Sequence, residues 1–207
     1  IIDHMLKSGD WIKLQFDGSL YTDKPPLYFW IAALIRLVTG KYTLFSIGLV
    51  MCVLPAIVTG VDIYRFLTEN EYDKKRACTV ILILYTILYF AGSVLVIRMD
   101  IFMTMFIVKA LISFYNIAEK DRGNPYMPYV YAGIGFLIKG LAAVFIPIGV
   151  ILAYLLVTKQ KDKIKKLKFG KGIIIIVIFA LIWFIPLIMS LGVNSAVNEL
   201  LLKQTVN

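Results

Sequence analysis

The sequence is poor in charge, in cysteine and in histidine. Only 17% of its 207 residues are charged, two are cysteine and one is histidine, whereas 60% are hydrophobic and the mean hydropathy is +0.82. A soluble domain of this length needs a far more polar surface, so a soluble protein is excluded. Cys52 and Cys78 lie at different depths of two predicted spans, which argues against a disulfide framework.

Long apolar runs are what the sequence has instead. About 20 apolar residues are needed to cross a bilayer as a helix. Five runs approach or reach that length, at 42–67, 77–97, 99–118, 141–157 and 172–192. A shorter run, 129–138, is predicted to form a broken or tilted helix that turns at Lys139 and Gly140.

These runs predict an all-α polytopic membrane protein. We expect a transmembrane helix bundle over 42–192, an outer-face loop with juxtamembrane helices over 1–41, and the start of a further outer segment over 193–207. Residues 1–23 contain neither a signal peptide nor a span that could carry an outer N-terminus across the membrane. We therefore expect a fragment of a longer protein, with at least one transmembrane helix before it and more sequence after it.

The basic residues predict the orientation of the helices. Lys and Arg collect in three loops, at 74–76, 119–128 and 159–171, and alternating spans place all three loops on one side. Short cytoplasmic loops are enriched in Lys and Arg, so this side is predicted to be the cytoplasm. The net charge of +9 is thus mainly a topology signal. The lysine run can also contact anionic lipid headgroups, whereas no basic-aromatic pattern indicates nucleic-acid binding.

The outer segment contains an ordered run of charged, proline and aromatic residues, which reads Tyr-Thr-Asp-Lys-Pro-Pro-Leu-Tyr-Phe-Trp over 21–30. A diproline ends any preceding helix and can occupy the first turn of the next one. The apolar stretch 27–38 that follows has about 12 residues, which suits a helix lying in the membrane interface better than one crossing it. The alternative interpretation is an aromatic belt with anchoring charges.

The outer segment resembles the first outer loop of a known family. It is the bacterial family that includes aminoarabinose transferase and is related to protein O-mannosyltransferases (glycosyltransferase family 39-like). The matching residues are Met5, Leu6, Gly9, Asp10, Trp11, Ile12, Gly18, Tyr21 and the run Asp23-Lys24-Pro25-Pro26-Leu27-Tyr28-Phe29-Trp30. Two later motifs are similar in order and spacing, Arg98-Met99-Asp100 and Gly135-Phe136-Leu137-Ile138-Lys139-Gly140. The resemblance implies a GT-C-type helix bundle that transfers sugars from polyprenyl-phosphate carriers.

The sequence departs from the family pattern at three places. The acidic residue thought to act as the catalytic base would precede Ile1 by its spacing, and neither Asp3 nor His4 takes its place. Asp23 stands where the family often has Glu. Leu141 stands where the family has Pro after Lys-Gly.

The chemistry implied by the resemblance assigns roles to particular residues. Sugar transfer expels an anionic phosphate, so cations must lie near that phosphate and a carboxylate near the acceptor. Lys24, Arg98 and Lys139 each lie beside a predicted helix break at the outer boundary, and are expected to bind the donor phosphate. Asp100 is the candidate catalytic carboxylate. The residues expected to line the donor site are Tyr21, Asp23, Tyr28 and Trp30.

Each assignment has a simpler alternative. The cations can be interfacial residues that reach for water, and Arg98 with Asp100 can be a local ion pair at a turn. Some related enzymes use a divalent ion, but one His and no ligand cluster with metal spacing leave the metal undecided. Lys109 lies in the middle of a predicted span, where we expect a structural pair with Asp62 rather than a catalytic role.

The sequence leaves three functions to be weighed. The leading one is an integral plasma-membrane enzyme of the cell envelope that moves a sugar from a polyprenyl-phosphate donor to a lipid, glycan or protein acceptor at the outer face. A transporter or flippase of lipid-linked substrates also needs outer cations and broken helices. It should show an inverted repeat and polar residues at the midplane, and we find no convincing repeat. A non-catalytic binder of polyprenyl lipids is the third.

Overall fold

The structure is a computed structural model that describes residues 1–40 and 43–192. Its first part is a short helix, a hairpin and a second helix: α1 (Ile2–Ser8), β1 (Gln15–Phe16), β2 (Ser19–Leu20) and α2 (Leu27–Thr39). Asp17 and Gly18 form the hairpin turn with φ of 51° and 74°, backbone angles that Asp tolerates and Gly adopts freely. A turn at Asp17 and Gly18 agrees with the ordinary preference of these residues for turns, and the predicted helix after the diproline is confirmed.

The rest of the described chain consists of helices joined by loops. They are α3 (Thr43–Gly48), a π-helical segment (Leu49–Val53), α4 (Leu54–Glu69), α5 (Lys74–Thr86), α6 (Leu88–Leu95), α7 (Met99–Lys120), α8 (Met127–Lys139), α9 (Ala142–Val157), a 3-10 segment (Lys161–Leu167) and α10 (Phe169–Leu191). The chain is an all-α polytopic membrane protein, as predicted. The predicted outer segment at 193–207 lies outside the described residues.

Three of the described helices are long and apolar enough to cross a membrane. The first runs over Thr43–Glu69 and includes the π-helical segment; the others are α7 and α10. Pro55 has no backbone N–H, so one helical hydrogen bond is missing at the start of α4. The π-helical segment lies directly before this position, and the helix continues through it. These helices match the predicted spans 42–67, 99–118 and 172–192, except for residue 42, which is not described.

The predicted span over 77–97 is divided between two helices. α5 and α6 are bent by 64° relative to each other, and the extended backbone of Ile87 (φ −61°, ψ 117°) separates them. No Gly or Pro marks this break. The Thr86 hydroxyl donates to the Ile83 carbonyl at 2.9 Å, a side-chain bond that competes with the helical pattern. The bent pair counts as a fourth span only if both helices are taken together.

The predicted turn at Lys139 and Gly140 is confirmed. α8 ends at Lys139, Gly140 has φ 104° and ψ −153°, and α9 begins at Ala142. A positive φ of this kind suits glycine because it has no Cβ. α9 has 16 residues, about 24 Å of helix, which is shorter than the roughly 30 Å hydrocarbon core.

α7 lies at the centre of the bundle, against α4, α8 and α9, while α10 packs on α8. Small residues allow close helix contacts. A Cβ on Gly135 would lie 2.6 Å from the Ala143 side chain, and one on Gly172 would lie 2.2 Å from the Tyr129 ring. Such small positions let membrane helices approach each other without a hydrophobic driving force.

The three basic loops meet at one end of the bundle. Arg122 lies 3.7 Å from the Glu69 carboxylate, which joins the first loop to the second. Lys163 donates to Glu119 at 2.6 Å, which joins the second to the third. This arrangement agrees with the sequence pattern that groups these loops on one side; their location in the cytoplasm stays a prediction.

Lys109 and Asp62 form the expected ion pair between α7 and α4. Lys109 Nζ donates to Asp62 Oδ2 at 2.7 Å, and the two side chains are 26% and 20% exposed. A single charge in the middle of a membrane helix costs about 2.5 to 3.5 kcal/mol. A partner removes part of this cost because neither charge is then left alone.

We therefore expect Lys109→Met to destabilise the protein by about 2 to 3 kcal/mol, because Asp62 is left unpaired. The measurement is the thermal midpoint of the detergent-solubilised protein. The double variant Lys109→Met with Asp62→Asn should recover most of the loss, and Lys74→Met, an exposed lysine of the first basic loop, should change little. If the double variant were no more stable than Lys109→Met, the loss of stability would not come from leaving Asp62 unpaired.

Candidate functional site

Asp100 is the second residue of α7, so its side chain lies in the first turn of that helix. Arg98 precedes the helix with an extended backbone, at φ −126° and ψ 147°. A carboxylate in the first helical turn is stabilised by the free N–H groups and the dipole of that end. Arg98 Nε donates to Asp100 Oδ2 at 3.0 Å, so the local ion pair considered from the sequence is present.

Lys139 reaches the same carboxylate from another helix. It is the last residue of α8, which packs antiparallel on α7, and its Nζ donates to Asp100 Oδ1. Each oxygen of Asp100 therefore accepts from a different cation. The side chain of Asp100 is 18% exposed, Lys139 27% and Arg98 49%. We call these three residues the bridged cluster.

The net charge of the bridged cluster is positive. It carries two cations against one carboxylate, so one positive charge is in excess. Exposed ion pairs contribute at most about 1 kcal/mol to stability, and Arg98 is half exposed. Three of the four residues expected at one outer site, the cations Arg98 and Lys139 and the carboxylate Asp100, are thus brought together.

Lys24, the fourth residue, lies in the loop that precedes α2. Its side chain is partly exposed, and the two prolines after it are buried. Over residues 1–40 and 43–192 the structure gives the Lys24 ammonium no hydrogen bond or ion pair. Its convergence with the bridged cluster on one cavity therefore stays a prediction.

The helix that follows Lys24 is nevertheless packed beside the bridged cluster. Tyr28 and Phe29 of α2 are buried in the same core as Met103 and Ile138. Met103 lies three residues after Asp100, and Ile138 directly precedes Lys139. The loop that carries Lys24 is attached to this end of the bundle.

The predicted site-lining residues differ in their surroundings. Tyr21 contacts Phe29 edge to face, with ring centroids 5.6 Å apart, and Trp30 Nε1 donates to the Trp11 carbonyl at 2.7 Å. Asp23 is exposed, whereas Tyr28 is buried. The aromatic side chains thus hold the outer segment together, and their predicted role in lining the donor site stays a prediction.

Sequence reasoning missed Cys52, which connects α2 to the bridged cluster. Cys52 is fully buried, and its thiol lies 3.7 Å from the Arg98 carbonyl. The Tyr28 phenol lies near this thiol, and burial, together with the nearby Cys52, raises the pKa of Tyr28 to about 12. Tyr28 is therefore a neutral hydrogen-bond donor at any physiological pH. No sequence signal distinguishes Cys52 from the apolar residues around it.

A metal site is not formed by the described side chains. Within residues 1–40 and 43–192, no group of three His, Cys, Asp or Glu residues lies close enough together to hold a metal ion. The Arg98 and Lys139 cations occupy both oxygens of Asp100, so this carboxylate is already satisfied by the chain's own residues.

The helix bundle is that of a GT-C-type polytopic membrane protein. Residues 23–189 match the family model described as dolichyl-phosphate-mannose-protein mannosyltransferase, and the chain belongs to this family. The resemblance inferred from the Lys-Pro-Pro segment is confirmed.

Curated relatives carry more specific names. The chain is 28% identical over 185 residues to the undecaprenyl phosphate-alpha-4-amino-4-deoxy-L-arabinose arabinosyl transferase of Pseudomonas savastanoi pv. phaseolicola, covering 86% of this chain and 33% of the relative. It is 28% identical over 190 residues to the protein of the same name in Aeromonas hydrophila subsp. hydrophila, covering 87% and 34%. The chain thus spans about a third of the length of these relatives.

Solved structures have the same fold. ArnT from Cupriavidus metallidurans in the apo state aligns with a TM-score of 0.78 at 18% identity, over 97% of this chain and 37% of that one. The same protein bound to undecaprenyl phosphate aligns with a TM-score of 0.75 at 18% identity, over 92% and 36%. At this identity the likeness concerns the fold.

Proposed function

We propose that the protein is a glycosyltransferase that moves a sugar from a polyprenyl-phosphate donor to a lipid, glycan or protein acceptor at the outer face of the plasma membrane. The observation that carries the proposal is the bridged cluster, which holds two cations on one carboxylate at the end of the bundle away from the basic loops. The family and the names of the curated relatives support the donor class.

The bridged cluster suits the departure of a phosphate. In the transfer the bond between the anomeric carbon and the phosphate oxygen breaks, and the electron pair stays on the phosphate. Arg98 and Lys139 stabilise that growing negative charge, and Lys24 adds a third cation from the loop before α2. At the boundary of the low-dielectric membrane each contact is stronger than in bulk water.

Asp100 holds the two cations in place until the phosphate arrives. Since both of its oxygens already accept from cations, it is a weak base in the resting protein. Its part in the reaction is to position Arg98 and Lys139 and to assist the base that takes the proton of the acceptor hydroxyl. The incoming phosphate must compete with this carboxylate for the same donors.

A surface reaction agrees with the charge distribution better than transport does. A transporter binds its substrate near the midplane between repeats. The charged pair nearest the middle of a described span, Asp62 and Lys109, is internally satisfied, while the bridged cluster lies at a helix terminus. We therefore place the chemistry at the membrane boundary.

The orientation is tested by labelling. Single cysteines introduced at Lys75, Asn124 and Lys165 in the three basic loops, in a protein without Cys52 and Cys78, should resist an impermeant thiol reagent applied to intact cells. A cysteine at Lys7 in the outer segment should react. Labelling of the basic loops from outside would contradict an outer-face site, because the bridged cluster would then face the cytoplasm.

A further inference from the structure

A second polar site lies at the end of the bundle opposite the bridged cluster. Two cavities of about 190 Å³ and 260 Å³ lie along α4 and α7. They share lining residues on both helices and on α8, so they form one groove that opens at the loop between α7 and α8. The shared residues are Glu69, Ser113, Asn116 and Tyr131. We call it the α4–α7 groove.

The floor of the groove is the ion pair of Asp62 and Lys109. Lys109 lies 11 residues before the end of α7 at Lys120, so the groove reaches about 16 Å into the helix bundle. Both side chains of the pair are partly accessible from the groove. Charged groups at this depth keep a membrane cavity polar and hydrated, which an apolar lipid tail would not favour.

Two groups in the groove lack a partner within the described part of the chain. Arg65, one helical turn after Asp62, is exposed and forms no ion pair there. Asn116 Oδ1 is a buried acceptor without a hydrogen bond. Buried polar atoms are nearly always hydrogen-bonded in native proteins. The exposed guanidinium of Arg65 is therefore the group that the groove offers to an anion, whereas Asn116 Oδ1 is closed to solvent.

The net charge of the groove narrows the class of ligand. The groove is lined by three cations and two carboxylates, so one positive charge is in excess. The cations are Arg65, Lys109 and Arg122, and the carboxylates are Asp62 and Glu69. A phosphodiester carries one negative charge and so matches it. A neutral zwitterionic headgroup would leave the excess charge uncompensated.

We propose that the α4–α7 groove binds the headgroup of an anionic glycerophospholipid of the phosphatidylglycerol type. The phosphodiester accepts from Arg65, and its single negative charge balances the excess positive charge of the groove. The groove lies beside the basic loops, at the level where headgroups meet the bundle. The proposed orientation makes this the inner leaflet, but the binding itself does not depend on the sugar-transfer function.

Native mass spectrometry of the purified protein with phosphatidylglycerol tests the proposal. We expect Arg65→Ala to weaken binding about tenfold, the effect of losing one charge-assisted hydrogen bond. Arg76→Ala, an exposed arginine at the start of α5 and outside the groove, is the matched control and should change little. Phosphatidylcholine should bind more weakly than phosphatidylglycerol to the unaltered protein.

Three results would overturn the proposal. Equal losses for Arg65→Ala and Arg76→Ala would mean that the lipid is held by general surface charge. Equal affinity for phosphatidylcholine would exclude selection by net charge. Displacement of the lipid by soluble glycerol phosphate at the same concentration would assign the groove to a free phosphate compound instead of a lipid.

Discussion

Replacement of Lys24 by Ala should reduce sugar transfer by about 100-fold or more, the usual effect of removing one preorganised donor from a developing anion. The reason is that Lys24 lies in the loop directly before α2. The buried residues of α2 pack in the same core as the residues next to Asp100 and Lys139. Lys24 is the cation that this loop can add to the bridged cluster. The rate of transfer per mole of folded, membrane-inserted full-length protein is the quantity to measure.

Two further variants make the test specific. Lys24→Arg should retain more activity than Lys24→Ala without being neutral, because a planar guanidinium does not reproduce a compact ammonium. Lys7→Ala removes an exposed lysine from the same outer segment and should leave the rate unchanged. Normal transfer by Lys24→Ala would mean that Lys24 only anchors the loop at the interface.

Replacement of Asp100 by Asn should separate donor binding from turnover. The change frees Arg98 and Lys139 from their shared carboxylate, so affinity for undecaprenyl phosphate should be kept or increased. Transfer should fall by about 100-fold, because the cations are no longer held in position and the assisting carboxylate is lost. Binding is measured with undecaprenyl phosphate alone, and turnover with the full donor.

Comparison with Lys139→Ala shows whether the carboxylate and the cation act differently. Lys139→Ala removes a phosphate contact, so it should lower binding and transfer together. Asp3→Asn, which alters an exposed carboxylate paired with Arg36 on the outer segment, should affect neither. If Asp100→Asn weakened binding as much as transfer, the cluster would need its carboxylate to fold and the proposed competition with phosphate would be wrong.

The parts of the fold that the sequence predicts are those governed by local pattern. α7 and α10 follow from long apolar runs, and the hairpin turn at Asp17 and Gly18 follows from the backbone angles these residues accept. The pair of Asp62 and Lys109 also follows, because two opposite charges within neighbouring spans are costly unless they meet.

The parts that the sequence does not predict depend on packing between distant segments. The break at Ile87 carries no Gly or Pro, so an apolar run there reads as one helix. Asp100 and Lys139 are expected at one site only from the family resemblance, because they are 39 residues apart and meet only when α8 lies close against α7. The contact between the Cys52 thiol and the Arg98 carbonyl joins residues 46 positions apart, and no sequence motif predicts it.

The central claim is that the protein cleaves the bond between sugar and polyprenyl phosphate. The most direct measurement incubates the detergent-solubilised full-length protein with undecaprenyl-phosphate sugars and acceptors extracted from bacterial envelopes, and follows the release of free undecaprenyl phosphate by chromatography. Detergent removes the two compartments that transport requires, so only chemistry can change the donor. We expect release by the unaltered protein and little by Lys24→Ala. A donor that stays intact in detergent, yet crosses the membrane of vesicles containing the protein, would contradict the account and identify a transporter.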